Sequence, residues 1–464
     1  MPTPPPLASG PLGPDALRPL LDTVLDALDG GRRARGGPLP SGGPETVAAR
    51  VRDTAGDVLP DHGDPHALHT LVHLLAEGSA DPADPLCAAH LHCPPLAVAT
   101  AADLAASVLN PSLDSWDQAP AASALEALVT RALAQQAGLA DALVTTGGTE
   151  ANQLAVLLAR EQTPPHTGAG GPVQLVCGAN AHHSLPRAAW LLGLPAPVVL
   201  PTPAGTLDPA ALDQALTGLP GPVLVAATAG TTDAGLIDPL PEIAARCAAH
   251  GARLHIDAAY GAGLLFSDRH RDRLTGLDTA DTVTLDLHKL GWQPIAAGLL
   301  AVKNPDDLSA LHQRADYLNA DDDTDAGLPD LLGRSPRTSR RPDILKIAVT
   351  LKTLGRTGLG RLVDQVCALA EEFAALVDSH PAFDLHDRPT LSTVLFRPAG
   401  ASDDTVAAVR RTLLTQGRAV LGRARPDGRL WLKATLLNPA TRPADLTTLL
   451  TLVEATLAEG NTPA

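Results

Sequence analysis

The fold of this chain is decided by residues 253–289, which read RLHIDAAYGAGLLFSDRHRDRLTGLDTADTVTLDLHK. Two β-type runs, Arg253–Ile256 and Thr282–Leu285, each lead directly into polar residues. Asp257 follows the first run, and Lys289 comes shortly after the second. In an open α/β sheet, ligands bind beyond the carboxyl ends of the strands. The stretch therefore predicts a ligand-binding or catalytic site at this edge of the sheet.

The same alternation of β-type and helical runs extends from Ala142 to about Val302. Such alternation predicts a mainly parallel sheet that is covered by helices. The β-type runs are Leu143–Thr145, Val173–Cys177, Pro197–Leu200, Val223–Thr228, Arg253–Ile256, Thr282–Leu285 and Gly298–Val302.

A chain of 464 residues exceeds the size at which a single core keeps growing. We predict an N-terminal helical arm (residues 1–85), a large α/β domain (residues 86–343) and a small C-terminal α+β domain (residues 344–464). Several further elements are predicted from periodicity and turn residues. They are an amphipathic segment from Asp15 to Leu28, helical structure over 101–139, an acidic loop over 318–333, a long helix from Ile344 to about Val377, strands Thr393–Phe396 and Leu430–Thr435, and a final helix Ala444–Glu459.

The composition excludes several classes of function. Lys and Arg number 35 against 51 Asp and Glu, and a net charge of -16 disfavours binding to nucleic-acid phosphates. The sequence contains neither a signal peptide nor a long apolar run, so we expect no membrane contact and a cytoplasmic location. The cysteines are odd in number and lack the close pairs of a zinc site or a disulfide framework, so we expect no metal. They are Cys87, Cys93, Cys177, Cys247 and Cys367.

Four features of the alternating region could share one chemistry. Asp257 ends one strand, Lys289 comes shortly after another, residues 145–152 (TTGGTEAN) join a strand to a helix, and His182 follows a further strand. A lysine amine, a carboxylate for a pyridinium, a Gly-rich turn for phosphate and a flat ring are what a pyridoxal 5'-phosphate (PLP) site needs. Each alone has an ordinary explanation, such as a surface lysine or a helix-capping aspartate. Together, in this order, they favour a PLP enzyme.

Three motifs also resemble those of the group II PLP-dependent amino-acid decarboxylases, relatives of aromatic amino-acid and glutamate decarboxylases. They are residues 256–260 (IDAAY), residues 286–289 (DLHK), and residues 229–232 (AGTT) followed by Asp238-Pro239. The similarity covers roughly residues 85–440. It implies a type I aminotransferase-like PLP fold and a homodimer in which both subunits contribute to each active site.

The resemblance also implies a role for each matching residue. It implies Lys289 for the Schiff base with PLP, Asp257 for the pyridinium, His182 stacked on the ring, Ala259 beneath the ring, Thr232 near the phenolic side, and Gly148, Thr149 and His288 at the phosphate.

The group that protonates the substrate α-carbon stays open at this stage. The family often uses a tyrosine on a mobile loop, but here that position falls near Leu331. Tyr317 is the loop candidate, and His182 or water are the alternatives. Poor protonation would allow reaction with oxygen, so oxidative deamination is an alternative activity.

The substrate is expected to be a small amino acid. The segment around His90 and His92 lies where the family shapes its substrate pocket, and it resembles bacterial L-2,4-diaminobutyrate decarboxylases and siderophore-pathway lysine decarboxylases. Lys433 matches a position where an arginine helps to bind the substrate carboxylate in glutamate decarboxylases. These histidines could equally pack at a subunit interface. An aromatic or acidic substrate is an alternative, and the retained Lys289 and Asp257 argue against a non-enzymatic scaffold.

Overall fold

The computed structural model describes residues 5–162, 171–313, 315, 318 and 320–460. Its helices are α1 (Gly13–Arg35), α2 (Gly43–Ala55), α3 (Ala67–Gly78), α4 (Ala97–Leu109), α5 (Pro120–Gln136), α6 (Gly148–Glu161), α7 (Ser184–Leu191), α8 (Pro209–Gly218), α9 (Leu240–His250), α10 (Asp321–Asp325), α11 (Ile344–Ser379), α12 (Asp403–Thr415) and α13 (Pro443–Gly460). Its strands are β1 (Cys87–Ala88), β2 (Asp141–Thr145), β3 (Gln174–Gly178), β4 (Val198–Leu200), β5 (Val223–Thr228), β6 (Arg253–Ala258), β7 (Thr282–Asp286), β8 (Gly298–Val302), β9 (Phe383–Leu385), β10 (Thr393–Pro398), β11 (Val420–Ala424) and β12 (Trp431–Thr435).

The larger sheet has the strand order β2-β8-β7-β6-β5-β3-β4. Strands β7, β6, β5, β3 and β4 pair in parallel, and β8 is antiparallel to both of its neighbours. Every β-type run predicted between Leu143 and Val302 is a strand of this sheet, with ends that differ by no more than two residues. The prediction of a mainly parallel sheet is confirmed.

The strands of the larger sheet are covered on both faces. Every residue of β5, β7 and β8 is buried, which agrees with the nearly continuous apolar sequences of β5 and β8. One core cluster includes Leu143, Leu158 and Leu300, and another includes Leu175 and Leu185. Leucine, valine and alanine thus form this core, as the low aromatic content predicts.

The smaller sheet has the strand order β1-β11-β12-β10-β9. Its core includes three of the four phenylalanines of the chain. The ring centroid of Phe396 lies 5.3 Å from that of Phe373 and 5.8 Å from that of Phe383, and both pairs are edge to face. Strands β1, β9 and β11 were not predicted. The first two have two and three residues, too few to show a period, and Gly422 and Arg423 interrupt the apolar pattern of β11.

The chain forms two compact units. One contains residues 1–94, 369–388 and 394–464, and the other contains residues 95–368 and 389–393. The N-terminal helices and most of the smaller sheet therefore belong to the same unit. The predicted division at residues 85 and 343 stays a prediction, because compactness does not test whether the N-terminal helices form an arm.

Two predicted elements differ in the structure. Residues 101–139 are not one helical stretch, since α4 ends at Leu109 and its C-cap residue Asn110 has a left-handed φ of 44°. The acidic segment 318–333 is not a loop throughout, because α10 lies within it. The first turn of α10 is acidic, which suits the positive end of a helix dipole. No helix within the described ranges has the length and hydropathy of a membrane span.

A buried ion pair fastens the segment before α11 to α5. Arg340 Nη1 donates to both carboxylate oxygens of Glu126, at 2.9 and 3.0 Å, and Arg340 Nη2 donates to the carbonyl of Leu113 at 3.1 Å. Both charged side chains are almost fully buried. Removing one partner would leave an uncompensated charge in the interior.

We therefore expect Glu126→Ala to lower the free energy of unfolding by about 3 kcal/mol. Urea denaturation followed by circular dichroism would measure the change. Asp268→Ala is the matched control, because Asp268 forms an exposed ion pair with Arg356 and its loss should leave stability nearly unchanged. Equal effects of the two substitutions would contradict this account of Arg340.

Candidate active site

Asp257 lies at the carboxyl edge of the larger sheet. In the parallel register it is beside Thr228 of β5 and Thr284 of β7. Its side chain is buried, and both carboxylate oxygens accept hydrogen bonds. Oδ2 accepts from Asn152 Nδ2 at 2.8 Å, and Oδ1 accepts from the backbone N–H of Ala259 at 3.1 Å. The carboxylate is thus held in one orientation.

Lys289 lies just beyond β7, which ends at Asp286. Its Nζ is 3.0 Å from Asp286 Oδ2, and His288 Nε2 is 3.4 Å from the same oxygen. Burial lowers the pKa of His288, although Asp286 opposes the shift. The other oxygen of Asp286 is buried and has no hydrogen-bond partner among the described residues. A buried acceptor of this kind is typical of a site that a ligand completes.

The glycine turn between β2 and α6 lies against both of these strand ends. A Cβ atom added to Gly147 would be 3.0 Å from His288 Cε1. A Cβ added to Gly148 would be 3.0 Å from Ala259 Cβ and 3.2 Å from Asp286 Oδ2. Any larger residue would fill the space beside these side chains. The structure therefore brings the predicted residues Gly148, Ala259 and His288 together.

Side-chain contacts fix the conformation of this turn. Glu150 Oε2 accepts from the backbone N–H and the hydroxyl of Thr146 at 2.6 and 2.8 Å. Glu150 Oε1 accepts from Arg337 Nε at 3.2 Å. Thr149, the second residue of α6, is exposed at the helix N-terminus, where backbone N–H groups suit an anion. Sequence reasoning missed Glu150 and Arg337.

His182 is connected to Asp257 through two intervening side chains. His182 Nδ1 is 2.8 Å from Ser184 Oγ, and Ser184 Oγ accepts from Asn152 Nδ2 at 2.8 Å. Burial lowers the pKa of His182, and the nearby Asp257 carboxylate opposes this. The structure thus links both predicted residues in one hydrogen-bond network.

The residues that make this connection were not identified from the sequence. They are Asn152, Ser184, His255 and Thr284. One signal was available, because Asn152 is the one polar side chain among the buried residues of α6. A polar residue on the buried face of a helix needs partners, so it indicates a network.

The loop after β5 carries the predicted residue Thr232, which is exposed. Asp238 fixes the base of this loop, since its carboxylate accepts from the backbone N–H groups of Thr228 and Leu207 at 2.7 and 2.8 Å and from Asn180 Nδ2 at 2.8 Å. Burial raises the pKa of Asp238 despite these donors. The loop is therefore well ordered, while the role of Thr232 stays a prediction.

His90, His92 and Lys433 belong to the other compact unit, where Lys433 and Arg410 place positive charge near His90. Burial lowers the pKa of His90, and Lys433, Arg410 and His92 lower it further. Lys433 is buried on β12 opposite Gly422 of β11, and a Cβ on Gly422 would lie 2.9 Å from Lys433 Cε. This positive charge suits an anionic group.

The structure describes one of the two tyrosines of the chain. Tyr317 lies outside the described residues, so its predicted role is not examined by the structure. Tyr260 is buried, and its hydroxyl lies 2.9 Å from Ser392 Oγ and 3.0 Å from Thr393 Oγ1. Burial raises the pKa of Tyr260 to about 12. Tyr260 is therefore a core residue. Leu331 is also buried.

Comparisons with known proteins identify the family of this chain. Residues 59–399 match the family described as pyridoxal-dependent decarboxylase conserved domain. An L-2,4-diaminobutyrate decarboxylase of Rhizobium meliloti is 39% identical over 77% of this chain and 75% of that protein. An enzyme of the same name from Acinetobacter baumannii is 32% identical over 84% of this chain and 83% of that protein.

The fold is also that of a solved relative. The crystal structure of the glutamate decarboxylase domain of diaminobutyrate-pyruvate transaminase and L-2,4-diaminobutyrate decarboxylase from Vibrio parahaemolyticus has a TM-score of 0.86 at 29% identity, and the match covers 98% of both chains. The predicted fold class and PLP dependence are confirmed. The chain therefore belongs to the pyridoxal-dependent decarboxylase family and is a PLP-dependent amino-acid decarboxylase.

Proposed function

We propose that this enzyme decarboxylates L-2,4-diaminobutyrate to propane-1,3-diamine and carbon dioxide. The observation that carries the proposal is the 39% identity to a relative with this activity in its name, together with the second such relative at 32%. In the reaction the bond from the α-carbon to the carboxylate breaks, carbon dioxide leaves, and a proton takes its place on the α-carbon.

The residues at the sheet edge fit PLP. A buried Asp257 with two hydrogen-bond donors suits a protonated pyridine nitrogen, since each compensates the desolvation of the other. Gly147 and Gly148 let the turn pack closely against His288 and Ala259, and the backbone N–H groups at the N-terminus of α6 suit a phosphate. We assign Thr149, His288, Ala259 and Thr232 to the cofactor as well.

Held at Lys289 and then linked to the substrate amine, PLP would supply an electron sink for the pair that the departing carboxylate leaves behind. The residues of the chain hold and orient the reacting groups. Asp286, 3.0 Å from Lys289 Nζ, is placed to hold the lysine ammonium when that amine is not bonded to the cofactor. Asp257 keeps the positive charge on the ring, and His182 covers one face. Proton delivery by Tyr317 stays part of this proposal.

The substrate is a zwitterion with a second ammonium group, so it needs both signs of charge around it. We propose that His90, His92 and Lys433 bind its carboxylate. Lys433 and Arg410 would supply the positive charge, and the two histidines, whose pKa values are lowered by burial, would act as neutral hydrogen-bonding groups. Lysine lacks the bidentate fork of arginine, so Lys433 would act as a point charge. The exposed acidic helix α10 would raise the local concentration of the cationic substrate.

We further propose that the enzyme is a homodimer of the cytoplasm with shared active sites. The N-terminal helices α1 and α3 present exposed leucines that a subunit interface would cover. No disulfide bond joins any two of the five cysteines, which fits a reducing compartment. The exposed leucines are Leu20, Leu25, Leu28, Leu71 and Leu75.

Among small amino acids, L-2,4-diaminobutyrate should give the highest kcat/KM. The assay would follow carbon dioxide, amine, ammonia and hydrogen peroxide with diaminobutyrate, ornithine, lysine, aspartate and aromatic amino acids as substrates. Faster turnover of aspartate or an aromatic amino acid would contradict the proposed substrate. Ammonia released with matching peroxide would instead indicate oxidative deamination.

Lys289→Ala should lower kcat by at least about a thousandfold, because the nucleophilic amine is lost. The absorbance band of the lysine-bound cofactor should disappear at the same time. Lys303→Ala is the matched control, since Lys303 is an exposed lysine that also follows a strand. Normal turnover by the Lys289 variant would refute its assignment.

Gly147→Ala should weaken PLP binding by at least about tenfold, a loss of about 1.4 kcal/mol. The added Cβ would press on His288, and the φ of 154° at this position is readily adopted only by glycine. Titration of the PLP-free enzyme with PLP would give the dissociation constant. Gly193→Ala is the control, because Gly193 also has a positive φ but has open space around it. Equal PLP affinity in both variants would argue against a phosphate at this turn.

A further inference from the structure

Asn152 is the centre of the buried network beside Asp257, and all of its hydrogen-bonding positions are used. Its Nδ2 donates to Asp257 Oδ2 and to Ser184 Oγ, each at 2.8 Å. Its Oδ1 accepts from Thr284 Oγ1 at 2.8 Å and lies 2.9 Å from His255 Nε2. The carboxylate can only accept, so the amide nitrogen must face Asp257. The orientation of the amide is thereby fixed.

This orientation fixes the proton on His255. The carbonyl oxygen of Asn152 cannot donate, so His255 Nε2 must carry the hydrogen of the 2.9 Å contact. Burial lowers the pKa of His255 to about 4, although Asp257 opposes the shift. The ring is neutral at physiological pH, and its Nδ1 accepts from Thr282 Oγ1 at 2.9 Å. The network therefore starts from a neutral histidine that donates.

The same direction of donation continues to His182. Ser184 Oγ accepts from Asn152, so its own hydrogen can point to His182 Nδ1 at 2.8 Å. The backbone N–H of Ser184 also donates to His182 Nδ1, at 3.3 Å. Unlike the hydroxyl hydrogen, the backbone N–H has a fixed direction. A proton on Nδ1 would face the backbone hydrogen directly, so Nδ1 keeps its lone pair.

The charged and titratable groups around His182 agree with this assignment on balance. Burial lowers the pKa of His182, and His183 and Lys289 lower it further, whereas Asp257 and Asp286 raise it. The ring of His183 is in contact with that of His182, and their centroids are 4.1 Å apart. The shift is downward, so the surroundings favour the neutral ring.

We propose that Asn152, Ser184 and His255 are positioning residues that hold His182 as a neutral imidazole, with its proton on Nε2 and its lone pair on Nδ1. The inference deepens the proposed function, on which it rests for the place of His182 beside the cofactor. A neutral imidazole is a much weaker acid than an imidazolium. His182 therefore acts as a flat hydrogen-bond donor, and another group protonates the α-carbon.

The protonation of His182 can be read directly by nitrogen NMR of the PLP-bound enzyme with 15N-labelled histidine, assigned by comparison with His182→Gln. We expect a protonated Nε2 and an unprotonated Nδ1 at neutral pH. A proton on Nδ1, or an ordinary titration midpoint of about 6.5, would overturn the proposal. The reading does not depend on which amino acid is decarboxylated, so it can fail while the proposed function holds.

Ser184→Ala tests whether the hydroxyl of Ser184 keeps His182 neutral. The change removes the hydroxyl donor but leaves the backbone N–H, so the titration midpoint of His182 should rise by about one pH unit. Ser123→Ala is the control, because Ser123 is also buried but donates to the carbonyl of Pro120, outside the network. An unchanged midpoint in Ser184→Ala would remove Ser184 from the argument. If that variant does not fold, the measurement on the unmodified enzyme still decides.

Discussion

The hydrogen bond from Asn152 to Asp257 is the interaction on which the rest of the site depends. A carboxylate buried at the end of a central strand is costly unless it is hydrogen-bonded and paired with a positive charge. Asn152 and the backbone of Ala259 supply the hydrogen bonds. In our proposal the pyridinium of PLP supplies the charge. The hydrogen-bonded carboxylate thus forms a binding site for a positively charged ring.

The sheet explains why these groups meet. Strands β5, β6 and β7 are parallel and adjacent, so Thr228, Asp257 and Thr284 lie side by side at one edge. Strand β8 returns antiparallel between β7 and β2, and a Cβ on its first residue, Gly298, would lie 2.5 Å from Gly147 Cα. The glycine turn is therefore packed against the same edge. Position along the strands, rather than sequence proximity, assembles the site.

The sequence predicted the larger sheet well and the network poorly, and the reason is physical. Long apolar runs bounded by polar residues reveal buried strands, whereas β1 and β9 are too short to show any period. Asn152 and Asp257 are 105 residues apart, and no local pattern reports that they touch. Motif resemblance identified Asp257 and His182, but the side chains that orient them became visible only in the structure. The chemical roles of these residues stay predictions.

The central claim is that the carboxylate of Asp257 keeps the cofactor ring positively charged. Asp257→Asn tests it most directly, because the amide preserves the size of the side chain and removes its charge. Single-turnover release of carbon dioxide should slow by at least about a thousandfold, while the cofactor stays bound to Lys289. Release at a rate within a few-fold of the unmodified enzyme would contradict the account.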